Sequence, residues 1–105
     1  MKRVVIESPF RGMPDAVGYA RRCLIDSLSR GEAPLASHLL YPQVLVDADP
    51  EQRELGIEAG LAWHPVAEAV VVYGDHGLSS GMREAIANAR RLELEVEFRY
   101  LDRTT

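Results

Sequence analysis

The amino-acid sequence predicts an α/β protein whose four strands form a mainly parallel sheet with helices on both faces. Two short runs rich in β-branched residues, at positions 4–6 and 69–73, are typical of strands that are covered on both faces. Segments with the spacing of amphipathic helices alternate with the strands, which favours parallel pairing through right-handed crossovers. We therefore expect a three-layer sandwich of the Rossmann or flavodoxin kind.

The composition is that of a globular protein with a small-molecule partner. The chain has 105 residues, of which 47% are hydrophobic and 27% charged, and this balance favours a single α/β domain over residues 1–105. The net charge of −4 disfavours nucleic acids and anionic membranes as partners, because both would repel an acidic surface.

Cysteine content and hydropathy indicate a cytoplasmic protein. Cys23 is the only cysteine, so no internal disulfide can form, and no spacing of His and Cys is typical of a zinc site. The apolar run near Met1 is too short for a signal peptide, and no segment approaches the roughly 20 apolar residues of a membrane span. We expect no metal, no other cofactor and no membrane association.

A first helix is expected to follow the first strand after a short loop. Pro14 suits the first helical position, and Asp15 complements the positive end of the helix dipole. Gly31 is placed to end this helix. Its apolar residues at helical spacing, which we expect to face the core, are Val17, Ala20, Leu24, Ile25 and Leu28.

The middle of the chain predicts a short strand, a long connection and a second helix. Residues 33–38 form the strand, which Pro34 restricts to an edge of the sheet or to the strand's first residues. Residues 39–47 form a connection that could reach over a pocket. The helix begins at a capping Asp49 followed by a proline, and it runs to about residue 63.

Small residues within this second helix indicate close packing. Gly56 and Gly60 flank Glu58 and permit the helix to approach the sheet or another subunit.

The last part of the chain predicts the central strand, a capped helix and an edge strand. The run at 69–73 is the clearest strand and is expected to be central. Ser79 or Ser80 is expected to cap a helix that continues to Leu92. Residues 94–100 alternate between apolar and charged side chains, which predicts a fourth strand with one solvent-exposed face.

The loop after the first strand is a candidate anion site. In such sheets, ligands bind at the carboxyl ends of the strands near the point where strand order reverses. This loop contains Ser8, Phe10, Arg11 and Gly12 at the start of a helix, where backbone N–H groups and the guanidinium favour a phosphate or a carboxylate. The alternative is an ordinary turn with a solvated arginine.

The loop after the third strand is the second candidate. Its polar and flexible residues, together with a methionine that follows them, are Asp75, His76, Ser79, Ser80, Gly81 and Met82. Glycine permits close backbone approach, the serines can donate to phosphate or sugar oxygens, and Asp75 could accept from a ribose hydroxyl. The alternative is a capped turn that Asp75 merely orders.

Two further residues are candidates on chemical grounds. Glu84, near the start of the last helix, could be a nucleophile or a base, although an acid in a first helical turn is also favoured by the helix dipole alone. His38, at the end of the second strand, could enter the cleft as a donor or an acid, although a lone histidine is more often structural.

Four segments carry a resemblance to a known family: residues 3–9, 36–41, 51–63 and 72–82. Their sequences RVVIESP, ASHLLY, EQRELGIEAGLAW and VYGDHGLSSGM resemble an uncharacterised family of short phage and bacterial proteins. More distantly, that family is similar to the nucleoside 2-deoxyribosyltransferases and the deoxynucleoside-monophosphate N-glycosidases. The resemblance implies a parallel-sheet fold, homo-oligomers such as dimers or tetramers, and a glutamate that attacks the anomeric carbon of the sugar.

The resemblance also implies roles for both loops. In the monophosphate hydrolases, a loop of the kind formed here by residues 8–12 holds the 5′-phosphate. Their glutamate commonly follows a glycine like Gly81 by three or four residues, or by fewer. One register selects Glu84, and the neighbouring register places Ala85 there. Because an α-helix turns by about 100° per residue, this shift would move the carboxylate away from the pocket.

Three functional hypotheses follow. The first is a hydrolase or transferase acting on the N-glycosidic bond of a (deoxy)nucleoside monophosphate. In it Glu84 is the nucleophile, Asp75 assists at the base or sugar, and Arg11, Ser79 and Ser80 hold the phosphate. The second is a non-catalytic module that captures or senses a nucleotide. The third is an assembly protein with a vestigial pocket.

Overall fold

The computed structural model of the protein describes residues 1–102. It contains the strands β1 (Lys2–Glu7), β2 (Glu32–Leu35), β3 (Ala69–Tyr73) and β4 (Glu95–Arg99). The α-helices are α1 (Ala16–Ser29), α2 (Pro50–Leu61) and α3 (Ser80–Arg91). Short 3-10 turns lie at Ser37–Leu39, Tyr41–Gln43 and His64–Val66.

The four strands form one parallel sheet in the order β2-β1-β3-β4. Each residue of β3 is buried, as expected for a central strand of β-branched residues. Pro34 lies in β2 at one edge, where its missing N–H removes no bond from a ladder on the open side. Strand order reverses between β1 and β3, so the loops that follow these two strands leave the sheet side by side.

Helices cover both faces of the sheet because successive side chains of a buried strand point to opposite sides. On one face, Tyr19 and Cys23 of α1 pack against β1 and β3. On the other face, Met82, Ile86 and Ala89 of α3 do so. The predicted α/β fold with a four-stranded parallel sheet is therefore confirmed, and the arrangement is compatible with a three-layer sandwich. Within residues 1–102, no helix is both long and apolar enough to cross a membrane.

Helix α1 differs from the sequence prediction in its start and in its buried face. It begins at Ala16, after Asp15 in the left-handed region with φ of 53°, so Pro14 precedes the helix rather than opening it. Three of the apolar residues expected to face the core are exposed: Val17, Ile25 and Leu28. The buried face consists of small or hydrogen-bonded residues, namely Ala16, Tyr19, Ala20, Cys23 and Ser27.

Strand β2 is shorter than predicted. It ends at Leu35, and the chain turns into a 3-10 helix in which Leu39 N donates to Ala36 O. His38 therefore lies beyond the end of the strand rather than within it.

The charged face of β4 is not fully exposed, because Arg99 is buried in an ion pair with Glu32 of β2. Its two Nη atoms donate to the two Glu32 oxygens at 2.8 and 2.6 Å. Ser27 Oγ also donates to Glu32, and Arg99 donates to Tyr73 OH. The hydrogen bonds from Arg99 outweigh the effect of burial and lower the pKa of Glu32 to about 2.

This ion pair is expected to stabilise the fold strongly. Arg99→Met would leave the Glu32 carboxylate buried without its counter-ion and should lower the free energy of unfolding by about 3–5 kcal/mol. Urea unfolding at neutral pH measures the loss. Lys2→Met is the matched control, because it removes an exposed pair with Glu95 that should contribute little. Equal losses for the two variants would contradict the role of the buried pair.

Candidate functional site

A cleft of about 560 Å³ opens at the carboxyl end of β1, a volume within the range of small-molecule sites. Its walls come from the loop after β1, residues 37–47, helix α2 and the start of α3. The residues with polar or charged side chains that line it are Glu7, Ser8, Arg11, Ser37, His38, Tyr41, Asp47, Gln52, Arg53, Glu54, Ser79, Ser80 and Glu84. Four residues of the connection at 39–47 therefore line the cleft, namely Tyr41, Pro42, Leu45 and Asp47.

Helix α2 lies close to residues 37–47 because it has glycines on the side that faces them. A Cβ atom added at Gly60 would lie 2.7 Å from Ser37 Oγ, and one at Gly56 would lie 3.3 Å from Leu45 Cδ1. The helix start is fixed by Asp49, whose carboxylate accepts from Glu51 N at 3.0 Å. The two glycines therefore serve contact within the chain, where they hold α2 against the segment that walls the cleft.

The loop after β1 brings a hydroxyl, an imidazole and an aromatic ring together. Ser8 Oγ lies 2.7 Å from His38 Nε2, and the Phe10 ring packs edge-on against the imidazole with centroids 6.1 Å apart. Burial lowers the pKa of His38 to about 4. The imidazole is therefore neutral at pH 7, and it provides a hydrogen-bonding group without a charge.

Arg11 lies on the exposed side of the cleft and is paired with an acid. Its Nε atom lies 3.2 Å from Asp47 Oδ2, and both side chains are largely exposed. Solvent weakens such a pair, so an incoming anion can compete with Asp47 for the guanidinium. Gly12 has φ of +74° and lets the loop turn toward α1, but it is not among the residues that line the cleft.

The start of α3 faces the same cleft. Ser79 is the N-cap, and its Oγ accepts from Met82 N at 3.2 Å, as predicted for one of the two serines. Ser79, Ser80, Gly81 and Met82 all line the cleft. The first N–H groups of a helix have no intrahelical acceptor, so those of Ser80 and Gly81 are suited to an anion.

Glu84 and Ala85 both line the cleft. Glu84 is exposed, whereas Ala85 is buried against the sheet side of α3. Because α3 begins at Ser80, Glu84 lies in the second turn, and no acid occupies the first turn. The helix dipole therefore does not explain this carboxylate, since the effect falls off within the first turn.

Asp75, expected to assist at the base or sugar, lies outside the cleft and orders the end of the sheet. Its carboxylate accepts from Tyr19 OH at 2.5 Å, from Leu101 N at 2.9 Å and from Asp102 N at 3.0 Å. Burial opposes ionisation, but these hydrogen bonds outweigh it and lower the pKa of Asp75. His76 also lies outside the cleft, with its ring edge-on to Tyr19.

Glu7 is one of several polar cleft residues that were not predicted from the sequence; the others are Ser37, Tyr41, Asp47, Gln52, Arg53 and Glu54. Glu7 ends β1 and lines the cleft, and burial raises its pKa to about 8. Nothing among residues 1–102 donates a hydrogen bond to its carboxyl or forms an ion pair with it. A carboxylate at the end of a buried β-branched run was the available signal.

The described residues contain no group of three or more His, Cys, Asp or Glu side chains arranged to hold a metal ion. Cys23 lies on the buried face of α1, and burial raises the pKa of its thiol to about 12. Its nucleophilic thiolate is therefore scarce at neutral pH.

The fold and the cleft define an α/β protein with a ligand-sized opening at the carboxyl ends of a parallel sheet. Residues 2–99 match a family described as Domain of unknown function (DUF7768), and the chain belongs to that family. No curated protein matches the sequence significantly.

The contacts of Asp75 predict a structural role for its carboxylate. In Asp75→Asn, one accepting oxygen becomes a donor that faces backbone N–H groups, so we expect a loss of about 2 kcal/mol in stability. Urea unfolding measures it, with the exposed Glu58→Gln as the matched control. A variant with unchanged stability would contradict this role.

The raised pKa of Glu7 predicts a pH-dependent cost to the fold. Between about pH 4.5 and pH 8 the folded state keeps a proton that the unfolded state releases, so this residue lowers stability as pH rises through that window. Glu7→Gln should remove the effect and gain on the order of 1 kcal/mol per pH unit relative to the wild type.

Unfolding in urea at a series of pH values measures this gain. The comparison near pH 4 is the internal control, because both states of the wild type then carry the proton. A difference between variant and wild type that stays constant up to about pH 8 would show that Glu7 ionises normally in the fold.

Proposed function

We propose that the cleft binds a (deoxy)nucleoside monophosphate. The observation that carries this proposal is the meeting of two anion-binding elements, the Arg11 loop and the start of α3, in one cleft with apolar walls. Backbone N–H groups, two serine hydroxyls and a guanidinium form a site that suits a phosphate group.

The rest of the cleft suits the uncharged part of a nucleotide. Phe10, Tyr41, Leu45 and Ile57 provide apolar and aromatic surface on which a base can pack. Ser8 and the neutral His38 provide hydrogen-bonding groups for sugar or base atoms. A nucleotide carries these same three kinds of group in one molecule.

The sheet topology supports the proposal. The order β2-β1-β3-β4 is that of the doubly wound flavodoxin type without a fifth strand, and such folds bind nucleotides where the order reverses. We assign the chain to this type, and specifically to a fold like that of the nucleoside 2-deoxyribosyltransferases, which its sequence resembles.

Cleavage of the N-glycosidic bond is the second candidate function, and the presence of Glu84 in the cleft favours it. In this reaction the Glu84 carboxylate attacks the anomeric carbon, the bond to the base breaks, and its electron pair leaves on the base nitrogen. Water or a second base then releases the sugar from Glu84. The engaged carboxylate of Asp75 takes no part in this version of the chemistry.

Exposed apolar side chains support a homo-oligomer, a dimer or a tetramer. Among the described residues they include three on α1 and five in α2 or the segments next to it, namely Val17, Ile25, Leu28, Leu40, Val44, Val46, Leu55 and Trp63. Symmetric association of identical subunits is the common way in which soluble proteins cover such surface.

Calorimetric titration with each common ribonucleoside and 2′-deoxynucleoside 5′-monophosphate tests the binding proposal. We expect one or more to bind, and the corresponding nucleoside to bind less tightly. Arg11→Ala should weaken binding by about tenfold, because it removes a charged partner of the phosphate. Arg83→Ala is the matched control, since this exposed arginine of α3 does not line the cleft. The absence of binding by any monophosphate would reject the proposal.

Chromatography of the same mixtures tests cleavage. Release of free base by the wild type, abolished in Glu84→Gln while binding is retained, is the result expected of a nucleophile. Binding without base release would instead identify the cleft as a non-catalytic nucleotide module.

A further inference from the structure

Glu7 lies where the apolar core meets the cleft. It pairs with Val72 in the β1–β3 ladder and shares its face of the sheet with Val5. That face is covered by Met82 and Ile86 of α3, and Met82 also lines the cleft. The carboxyl of Glu7 therefore has apolar neighbours on the core side and open space on the cleft side.

The fold gives this carboxyl no partner, in contrast to the other partly buried acids. Glu32 accepts from Arg99 and Ser27, and Asp75 accepts from a tyrosine and two backbone groups. Glu7 has no equivalent among residues 1–102. Glu7 is partly buried, and its carboxyl reaches solvent only on the cleft side. A carboxyl in this apolar setting without a partner in the protein does not stabilise the fold, so packing does not explain its presence.

None of the described charged or titratable groups that line the cleft forms an ion pair or a hydrogen bond with the Glu7 carboxyl. From the elements around it these are Arg11, His38, Tyr41, Asp47, Arg53, Glu54 and Glu84. Arg11 is paired with Asp47, and His38 is neutral at pH 7. Arg53 of α2 also lines the cleft, but it forms no ion pair with Glu7.

We propose that the Glu7 carboxyl donates a hydrogen bond to an uncharged acceptor atom on the sugar or base of the ligand, and so determines which ligands the cleft accepts. This inference rests on the proposed nucleotide binding, and it assigns the ligand specificity of that site to Glu7. A carboxylic acid held neutral in an apolar setting is a strong donor. It also permits a phosphate to bind in the same cleft, whereas a carboxylate there would repel it.

The test is calorimetric titration of whichever adenine or cytosine monophosphate binds more tightly, from about pH 7.5 to pH 10, where its phosphate is almost entirely the dianion and its base does not titrate. For the wild type we expect affinity to fall by about tenfold per pH unit above pH 8, because only the protonated carboxyl donates. Glu7→Gln, whose amide also donates, should bind well and lose this pH dependence. Glu7→Leu should bind at least about tenfold more weakly at about pH 7.5.

Three results would overturn the inference while leaving nucleotide binding in place. They are a wild-type affinity that is constant up to pH 10, a Glu7→Leu variant that binds like the wild type, and a Glu7→Gln variant that binds as weakly as Glu7→Leu. The last would mean that the ionised carboxylate is the binding form. Glu58→Gln, on the side of α2 away from the cleft, is the matched control for all three.

Failure of the underlying proposal has a different signature. If the wild type binds no monophosphate at any pH, both the nucleotide proposal and the role of Glu7 are rejected. If it binds with an affinity that Arg11→Ala weakens but Glu7 variants and pH do not change, the nucleotide proposal stands and the role of Glu7 falls. Glu7→Gln preserves side-chain shape, so a folded variant is available even if Glu7→Leu is unstable.

Discussion

The parallel pairing of β1 with β3 places Glu7 beside Val72 and sends the chain out of both strands at one edge of the sheet. The adjacent strands of the pair carry the buried β-branched core, which supports α1 on one face and α3 on the other. The loop after β1 and the segment that leads from β3 into α3 leave the sheet at the same edge, because the two strands are adjacent and parallel. The loop after β1 and the start of α3 therefore border the same cleft. The outer strands are then joined by the ion pair between Glu32 of β2 and Arg99 of β4.

The parts of the fold that depend on local chemistry were predictable from the sequence. The β-branched run of β3, the Asp49 cap of α2 and the Ser79 cap of α3 were each recognised because the signal lies within a few residues. The buried face of α1 was predictable only in part: Ala20 is buried and Leu24 packs against the core, but the rest of the face depends on contacts with the sheet. Tyr19 is buried and donates to Asp75, which is 56 residues distant, while Val17, Ile25 and Leu28 of the same helix face outward.

The location of the candidate site was predictable from the sequence, but the roles of its individual residues were less so. Topology selected the two loops, and most of the predicted residues line one cleft. The role of Asp75 depended on partners at Tyr19 and Leu101 that no local pattern reveals. Glu7 has the opposite property: its importance comes from the absence of a partner among the described residues, and a sequence pattern does not encode that absence.

Burial leaves the cleft less charged at neutral pH than its residues suggest, and this bears on the proposed cleavage. A base that leaves with the electron pair of its glycosidic bond needs a proton. Burial lowers the pKa of His38 to about 4, so at pH 7 the imidazole is neutral and is not an effective acid. The carboxylate of Asp75 lies outside the cleft. Glu7, with its pKa raised by burial to about 8, holds a proton in that range. In the proposed cleavage, Glu7 at the end of β1 is therefore a cleft residue with a proton for the departing base at neutral pH, and Glu84 of α3 is the nucleophile.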